Sequence, residues 1–483
     1  MKILAAAATV SLLAAGHVGA TNITQQNGEK TRAVIEQVIE AYGGAEKLNN
    51  LKTLTVEADT TGYAVNQSRK PEPPWDANQG RLLNAIDTEN SIFVSHNSGN
   101  GAGFEFDVGQ IINADDSYQL NYRARTAAPV AEPDFDTSSG PFIRVTSVLL
   151  VKQLQARGNT SHWLGEADVD GRPHDVISLV MKVGPALSLY VDQETHLLTH
   201  SERLLPPFGL VEYSFEDYYK VDGIPVNGRF RLLVNGDDNL DWKYTSIKVN
   251  ESVEVLAQVP ATMARIDAVV PDQLSLNEIS DGVYLVGGTG TYAMFVEMDD
   301  HIVAVGGTAG IPDRIAELRK VVGDKPIRYA VISHHHNDHV LGMPAYTEEG
   351  ATVLAAKEHE TILRNAAGED AEPNFEFVKG SKILSDGSRT VEIHDIGPTP
   401  HSEHLLVAYL PDEGIMFEAD HIAVPQTGPL PPAISNTRAL DKAMAKRDFK
   451  VTTIVGAHSP RVITIDDMKA ALERESETRV ANK

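Results

Sequence analysis

The sequence predicts an α+β protein in two parts, an antiparallel β-rich amino-terminal domain over residues 21–262 and a carboxy-terminal domain over residues 263–483 in which strands alternate with helices. Three observations predict it. Short β-prone runs separated by Asp-Gly and Asn-Gly turn pairs fill the first part. Near residues 259–271 the pattern changes to apolar runs of strand length followed by amphipathic stretches. Finally, the apolar run at 327–332 ends in Ser333-His334-His335-His336-Asn337-Asp338-His339, where a strand should give way to a loop.

Taken in order, residues 1–20 carry one early cation, Lys2, an apolar run over 3–15 and the small residues Val18-Gly19-Ala20 suited to signal-peptidase cleavage. The expectation is a signal peptide, a mature chain from Thr21 and a periplasmic or secreted location. From Thr31 to Tyr42 the apolar residues Val34, Ile35, Val38 and Ile39 recur at helical spacing, and Gly43-Gly44 stops the helix. Strands follow over 51–58, 176–181, 188–191, 229–234 and 242–249, divided by turns such as Asp170-Gly171, Asp222-Gly223 and Asn235-Gly236. In the second part, strands are predicted over 302–305, 327–333, 352–355, 391–394, 405–410, 415–418 and 452–455. Helices are predicted over 312–322, opened by its proline, over 357–365, and from the capping-box-like Thr464-x-x-Asp467 to about Arg474.

A formal charge of −25, from 42 basic and 67 acidic residues, argues against nucleic acid, because phosphate binding needs clustered Lys and Arg. No later run reaches the roughly 18 apolar residues of a membrane span, so stable membrane insertion is not expected. The chain has no cysteine, so neither disulfides nor lipoprotein attachment are available to it, and stability must come from packed cores.

The chemistry resides in the histidine cluster. Four of the 17 histidines fall within six consecutive positions, internal to the chain and interrupted by Asn337 and Asp338, unlike a terminal tag. Imidazole and carboxylate are ligands of borderline cations such as zinc. If His334 and His336 hold one ion while Asp338 and His339 hold a second, the remaining ligands must come from elsewhere. His401, Asp420 and His458 are the candidates, each at the end of a predicted strand, where such folds gather functional side chains on one rim.

With these motifs, and with Gly282-Val283-Tyr284-Leu285 leading in, residues from about Gln273 to His458 resemble the metallo-β-lactamase superfamily. The resemblance implies an αββα sandwich and two Zn2+ ions per chain, with Mn2+ or Fe compatible. His334, His336 and His401 would hold one ion, Asp338, His339 and His458 the other, and Asp420 would bridge. A metal-activated water would cleave an ester, lactone or lactam bond of a small-molecule substrate, with Asp338 orienting it and accepting a proton. Two alternatives stand beside this: a β-lactamase proper, and a di-iron or mono-iron redox enzyme on the same fold. His401 is preferred to His404 as a ligand, His335 should point away from the metals, and His421 should serve packing. One departure is evident, since Val305-Gly306-Gly307-Thr308 stands where the family usually has an aspartate that supports the ligand loops. In the amino-terminal domain, Gly43-Gly44-Ala45-Glu46-Lys47-Leu48 and Tyr218-Tyr219-Lys220-Val221-Asp222-Gly223-Ile224-Pro225-Val226 resemble periplasmic half-barrel domains of the lipoprotein-carrier type. That implies a sheet which either receives an apolar part of the substrate or roofs the metal cleft. The oligomeric state is left open.

Overall fold

The computed structural model describes residues 22–114, 116–206, 209–270 and 272–481; the expected signal peptide lies outside them. The first helix, Ile23–Ala41, begins earlier than its apolar periodicity suggests, because Asn22 caps it by accepting the Thr24 amide at 3.0 Å. Of the four residues of the predicted stripe, Val34, Ile35 and Val38 are buried and Ile39 is half-buried against the same core.

A 14-stranded sheet follows, antiparallel except for the short Ala264–Arg265 strand at one edge. Thr53–Tyr63 lies between Ala77–Asp87 and Asp237–Val249, so the chain leaves the centre in one direction and returns to it from the other. The predicted strands are present and mostly longer: Thr53–Tyr63, Arg172–Val180, Ala186–Asp192, Arg229–Val234 and Asp237–Val249. The sequence reading did not anticipate Ala77–Asp87, Ile92–Gly101 and Phe104–Ile112, whose Gly and Asn residues weaken the β signal. Nor did it anticipate the helices Phe135–Arg144 and Ser147–Arg157. The first holds Pro141, and in the second a continuous buried run, Ser147 to Val151, erases helical periodicity.

These helices, with Ile23–Ala41, cover one face of the sheet and complete its apolar core. That face is therefore packed by the chain's own helices. Phe230 is fully buried there, with ring centroids 5.2 Å from Trp242 and 6.2 Å from both Tyr213 and Phe215.

The carboxy-terminal part is a four-layer αββα arrangement. One sheet has seven strands, from Ser275–Ser280 to Asn374–Phe377, and the other six, from Ser381–Ser385 to Ile463–Thr464. Val305, Val331, Leu406 and Phe417 are among the residues that fill the space between them. Helices Ile311–Val322, Met343–Glu348 and Glu360–Ala367 pack outside the first sheet, and Ser435–Arg447 and Ile465–Ala481 outside the second. The last helix continues beyond the predicted end near Arg474. Among the described residues, no helix is long and apolar enough to cross a membrane.

Truncating Phe230 would open a cavity at the middle of the amino-terminal core. Phe230→Ala should cost about 3–5 kcal/mol, read as a lowered urea midpoint for the amino-terminal transition.

Candidate metal centre

Strand ends build the cluster. The strand Ile327–Val331 delivers His334, His335 and His336, and a 3-10 turn, Asn337–His339, swings Asp338 and His339 back toward them. Ile415–Glu418 and Thr453–Gly456 are parallel neighbours whose carboxy-terminal ends carry Asp420 and His458. His401 lies on the turn before Leu406–Leu410, which is antiparallel to Ile415–Glu418 and so opens at the same rim. Asp420 has φ 61°, a left-handed conformation that aspartate tolerates better than most residues.

The structure brings all seven predicted residues together. Three overlapping groups, His334/His336/His401, His334/His339/Asp420 and Asp338/His339/His458, each have candidate ligand atoms within 4.8 Å of one another. His334 and His401 face each other with Nε2 atoms 3.0 Å apart. Asp420 stands between the groups: Oδ2 is 2.7 Å from His339 Nε2, 3.2 Å from His401 Nε2 and 3.4 Å from His334 Nε2, while Oδ1 is 3.4 Å from His458 Nε2. On the far side, His458 Nε2 is 3.2 Å from both Asp338 Oδ2 and His339 Nε2.

The electrostatics divide the cluster. Burial, reinforced by the neighbouring imidazoles, holds His334 well below its usual pKa and pushes His336 down to about 2, so both rings are neutral at physiological pH. Burial also opposes a charge on His339, but the Asp420 and Asp338 carboxylates override it and raise the ring to about 10. Burial disfavours ionised Asp420 as well, yet His339 and His401 hold it well below the ordinary carboxylate range.

Hydrogen bonds fix the outer ring nitrogens. His401 Nδ1 donates to the Ala102 carbonyl at 2.8 Å, His336 Nε2 to the Ser68 carbonyl at 2.9 Å, and His458 Nδ1 to the Gly290 carbonyl at 3.1 Å. Each bond selects a tautomer and leaves the other nitrogen's lone pair for the cluster. Gln67 Nε2 donates to Asp338 Oδ1 at 3.0 Å, and the buried Asn436 amide donates to the carbonyls of Ala102 and Asp420, both at 2.9 Å. Gln67, Ser68 and Ala102 belong to the amino-terminal half, so that half roofs the cleft. The sequence reading missed them: a lone glutamine and two peptide carbonyls have no motif.

The remaining histidines lie where the motif readings put them. His404 turns to Asp395, with Nδ1 2.7 Å from the carboxylate, and belongs to none of the three groups. His335 packs on His359, ring centroids 4.9 Å apart, and His421 Nδ1 donates to the Ala419 carbonyl at 2.7 Å. The glycines in place of the supporting aspartate are braced otherwise. Gly307 accepts the Gly342 amide at 2.7 Å, Gly306 accepts the Tyr346 hydroxyl at 2.6 Å, and Thr308 Oγ1 accepts from Arg314 at 2.8 Å. A side chain at 307 has no room, since a Cβ would lie 2.4 Å from the His339 carbonyl oxygen and 2.5 Å from Ile332 Cδ1.

Gly307→Ala should therefore destabilise the protein by about 1–3 kcal/mol, measured by thermal unfolding. Gly28→Ala, whose Cβ approaches only Arg32 at 4.0 Å, should not.

Residues 287–458 match the family model described as the metallo-beta-lactamase superfamily. No curated protein matches the chain. Among solved structures, the metallo-beta-lactamase FIM-1 from Pseudomonas aeruginosa in its mono-zinc form is 22% identical, covering 43% of this chain and 96% of its own, with a TM-score of 0.35. The metallo-beta-lactamase from Pontibacter korlensis is 18% identical over 42% of this chain and 99% of its own, TM-score 0.35. That from Erythrobacter litoralis is 19% identical over 42% and 96%, TM-score 0.34. The αββα layers, the convergent His/Asp cluster and the family match together identify residues 287–458 as a metallo-beta-lactamase superfamily domain.

Proposed function

We propose that this chain is an exported, dinuclear zinc-dependent hydrolase of small-molecule ester, lactone or lactam bonds. The observation that carries the reading is the convergence of seven His and Asp side chains on one rim, with Asp420 between two groups. Export is supported by the leader-like residues 1–20.

The donor set fits divalent cations. Asp420 Oδ2 is buried among the Nε2 atoms of His339, His401 and His334, at 2.7, 3.2 and 3.4 Å, and His334 and His401 aim nitrogens at each other. His334, His336 and His401 would hold one ion, Asp338, His339 and His458 the second, and Asp420 both. Bound there, zinc would supply a water of lowered pKa and a Lewis acid for the scissile carbonyl.

The chain's own groups do the rest. Asp338 is half exposed at the mouth of the cluster, and Gln67 holds its Oδ1. Burial disfavours its charge, but hydrogen bonds with His339, His458 and Gln67 keep the carboxyl well below the usual range. It is thus an ionised acceptor able to orient an attacking water and take its proton. The Ala102, Ser68 and Gly290 carbonyls keep three imidazoles from rotating, so the geometry is set before substrate arrives.

Metal content measured on purified protein, with hydrolysis before and after chelation, tests the reading; two equivalents of zinc and chelator-sensitive turnover are expected. Absence of transition metal together with metal-independent turnover would sink it. His336→Ala or Asp420→Ala should reduce hydrolysis to background with the amino-terminal sheet still folded, whereas His404→Ala should be milder. Gln67→Ala should weaken metal affinity by about 10–100-fold, read by chelator competition. Because His339 is protonated up to about pH 10 and a ligand must be neutral, loading should release protons at pH 7–8 and weaken as pH falls. Calorimetry in buffers of different ionisation enthalpy measures that release.

A further inference from the structure

A pocket of about 400 Å³ opens beside Asp420 and His458, within the size range of small-molecule sites. Phe104 and Ile266 line it from the amino-terminal half, and Ile422, Val424, Pro425 and Pro431 from the segment after Asp420. Phe104 also stands edge-on to His401, ring centroids 5.8 Å apart, so pocket and cluster are contiguous. A larger cavity, about 920 Å³, lies against helix Ile23–Ala41 and contains none of the clustered ligands.

Charge is distributed unevenly in the smaller pocket. The ionisable residues on its wall are Asp420 and His458, both members of the cluster, and neither Lys nor Arg lines it. Two arginines on adjoining segments are engaged with backbone. Arg123 donates to the Pro432 and Ala433 carbonyls at 3.0 and 3.2 Å, and Arg461 to those of Pro425 and Gly428 at 3.1 and 2.6 Å. They shape the loop. A substrate group reaching away from the cluster therefore meets an uncharged and mostly apolar wall, with Asn121, Thr126 and Thr427 its polar side chains, where a carboxylate would lose water without gaining a counter-charge.

Resting on the hydrolase reading, we propose that the substrate is an uncharged ester or lactone whose group flanking the scissile bond is apolar and occupies this pocket. β-Lactams with a free carboxylate are disfavoured by the same wall. The amino-terminal half, through Phe104 and Ile266, is then part of what sets specificity.

Two measurements on zinc-loaded full-length protein test this. For p-nitrophenyl acetate, butyrate and hexanoate, kcat/KM should rise about two- to fourfold per methylene, and mono-p-nitrophenyl adipate should fall at least tenfold below the hexanoate. By calorimetry, 2-octanone, which cannot be hydrolysed, should bind at least tenfold tighter than 7-oxooctanoate. Val424→Lys should reverse both preferences, as should Ala423→Lys at an exposed position on the same wall. Equal or better use of the carboxylate compounds by the unsubstituted protein, or lysine variants that leave the preferences unchanged, would overturn the proposal. If none of these esters turns over, the ketone pair still decides the pocket separately from the hydrolase reading: selective binding of 2-octanone supports its apolar character, and equal binding refutes it.

Discussion

A buried carboxylate is tolerated only where donors or positive charge answer it. Asp420 is answered by imidazoles on several sides, and each of them is there because a strand ends at that point. Removing that negative charge would leave His334, His401 and His339 facing one another without the carboxylate that lies between them. The left-handed backbone at Asp420 and the Asn436 amide on its carbonyl show how firmly the fold positions it. The two inner sheets supply the rigid rim, and the residues between them supply the burial that keeps His334 and His336 unprotonated.

Much of this was legible in the chain. His334, His336, Asp338 and His339 are close in sequence, Asp420 and His458 each follow a short apolar run, and His401 precedes one, so all seven lie at strand ends and their convergence followed from the alternation of strands and helices. His404 was separable from His401 by its place in the motif, and its bond to Asp395 gives that separation a physical cause. What escaped was of two kinds. The helix Ser147–Arg157 is buried without a break from Ser147 to Val151, so that stretch has no polar stripe to reveal a period, and the Gly-containing strands after Tyr63 depend on their neighbours for their pairing. The support from Ser68 and Ala102 is carried by peptide carbonyls, which every residue possesses.

The two halves of the chain meet at the cluster rather than beside it. Glu105 accepts the Ser435 amide at 2.9 Å and pairs with Arg438 at 3.2 Å, anchoring the turn that carries Ala102 to the helix behind Asp420. Burial resists ionisation of Glu105, but the Ser435 and Arg438 contacts outweigh it and lower the carboxyl's pKa, so this anchor is ionised at neutral pH. A sheet that fills one of its faces with its own helices thus still shapes the metal-ligating rim, through the loops at its far end.

The oxygen of Ala102 receives both the His401 ring and the Asn436 amide. Because the contact is made by main chain, residue 102 needs no particular side chain, but its φ of 48° limits it to residues that tolerate the left-handed region. The length of the turn is not, since adding or deleting one residue would carry the oxygen away from both donors. Gly103 is the most tightly confined of its neighbours, as any Cβ there would lie 1.7 Å from Asn436 Oδ1. Divergence in this loop should consequently be written as tolerated exchanges around an invariant glycine, with insertions and deletions excluded.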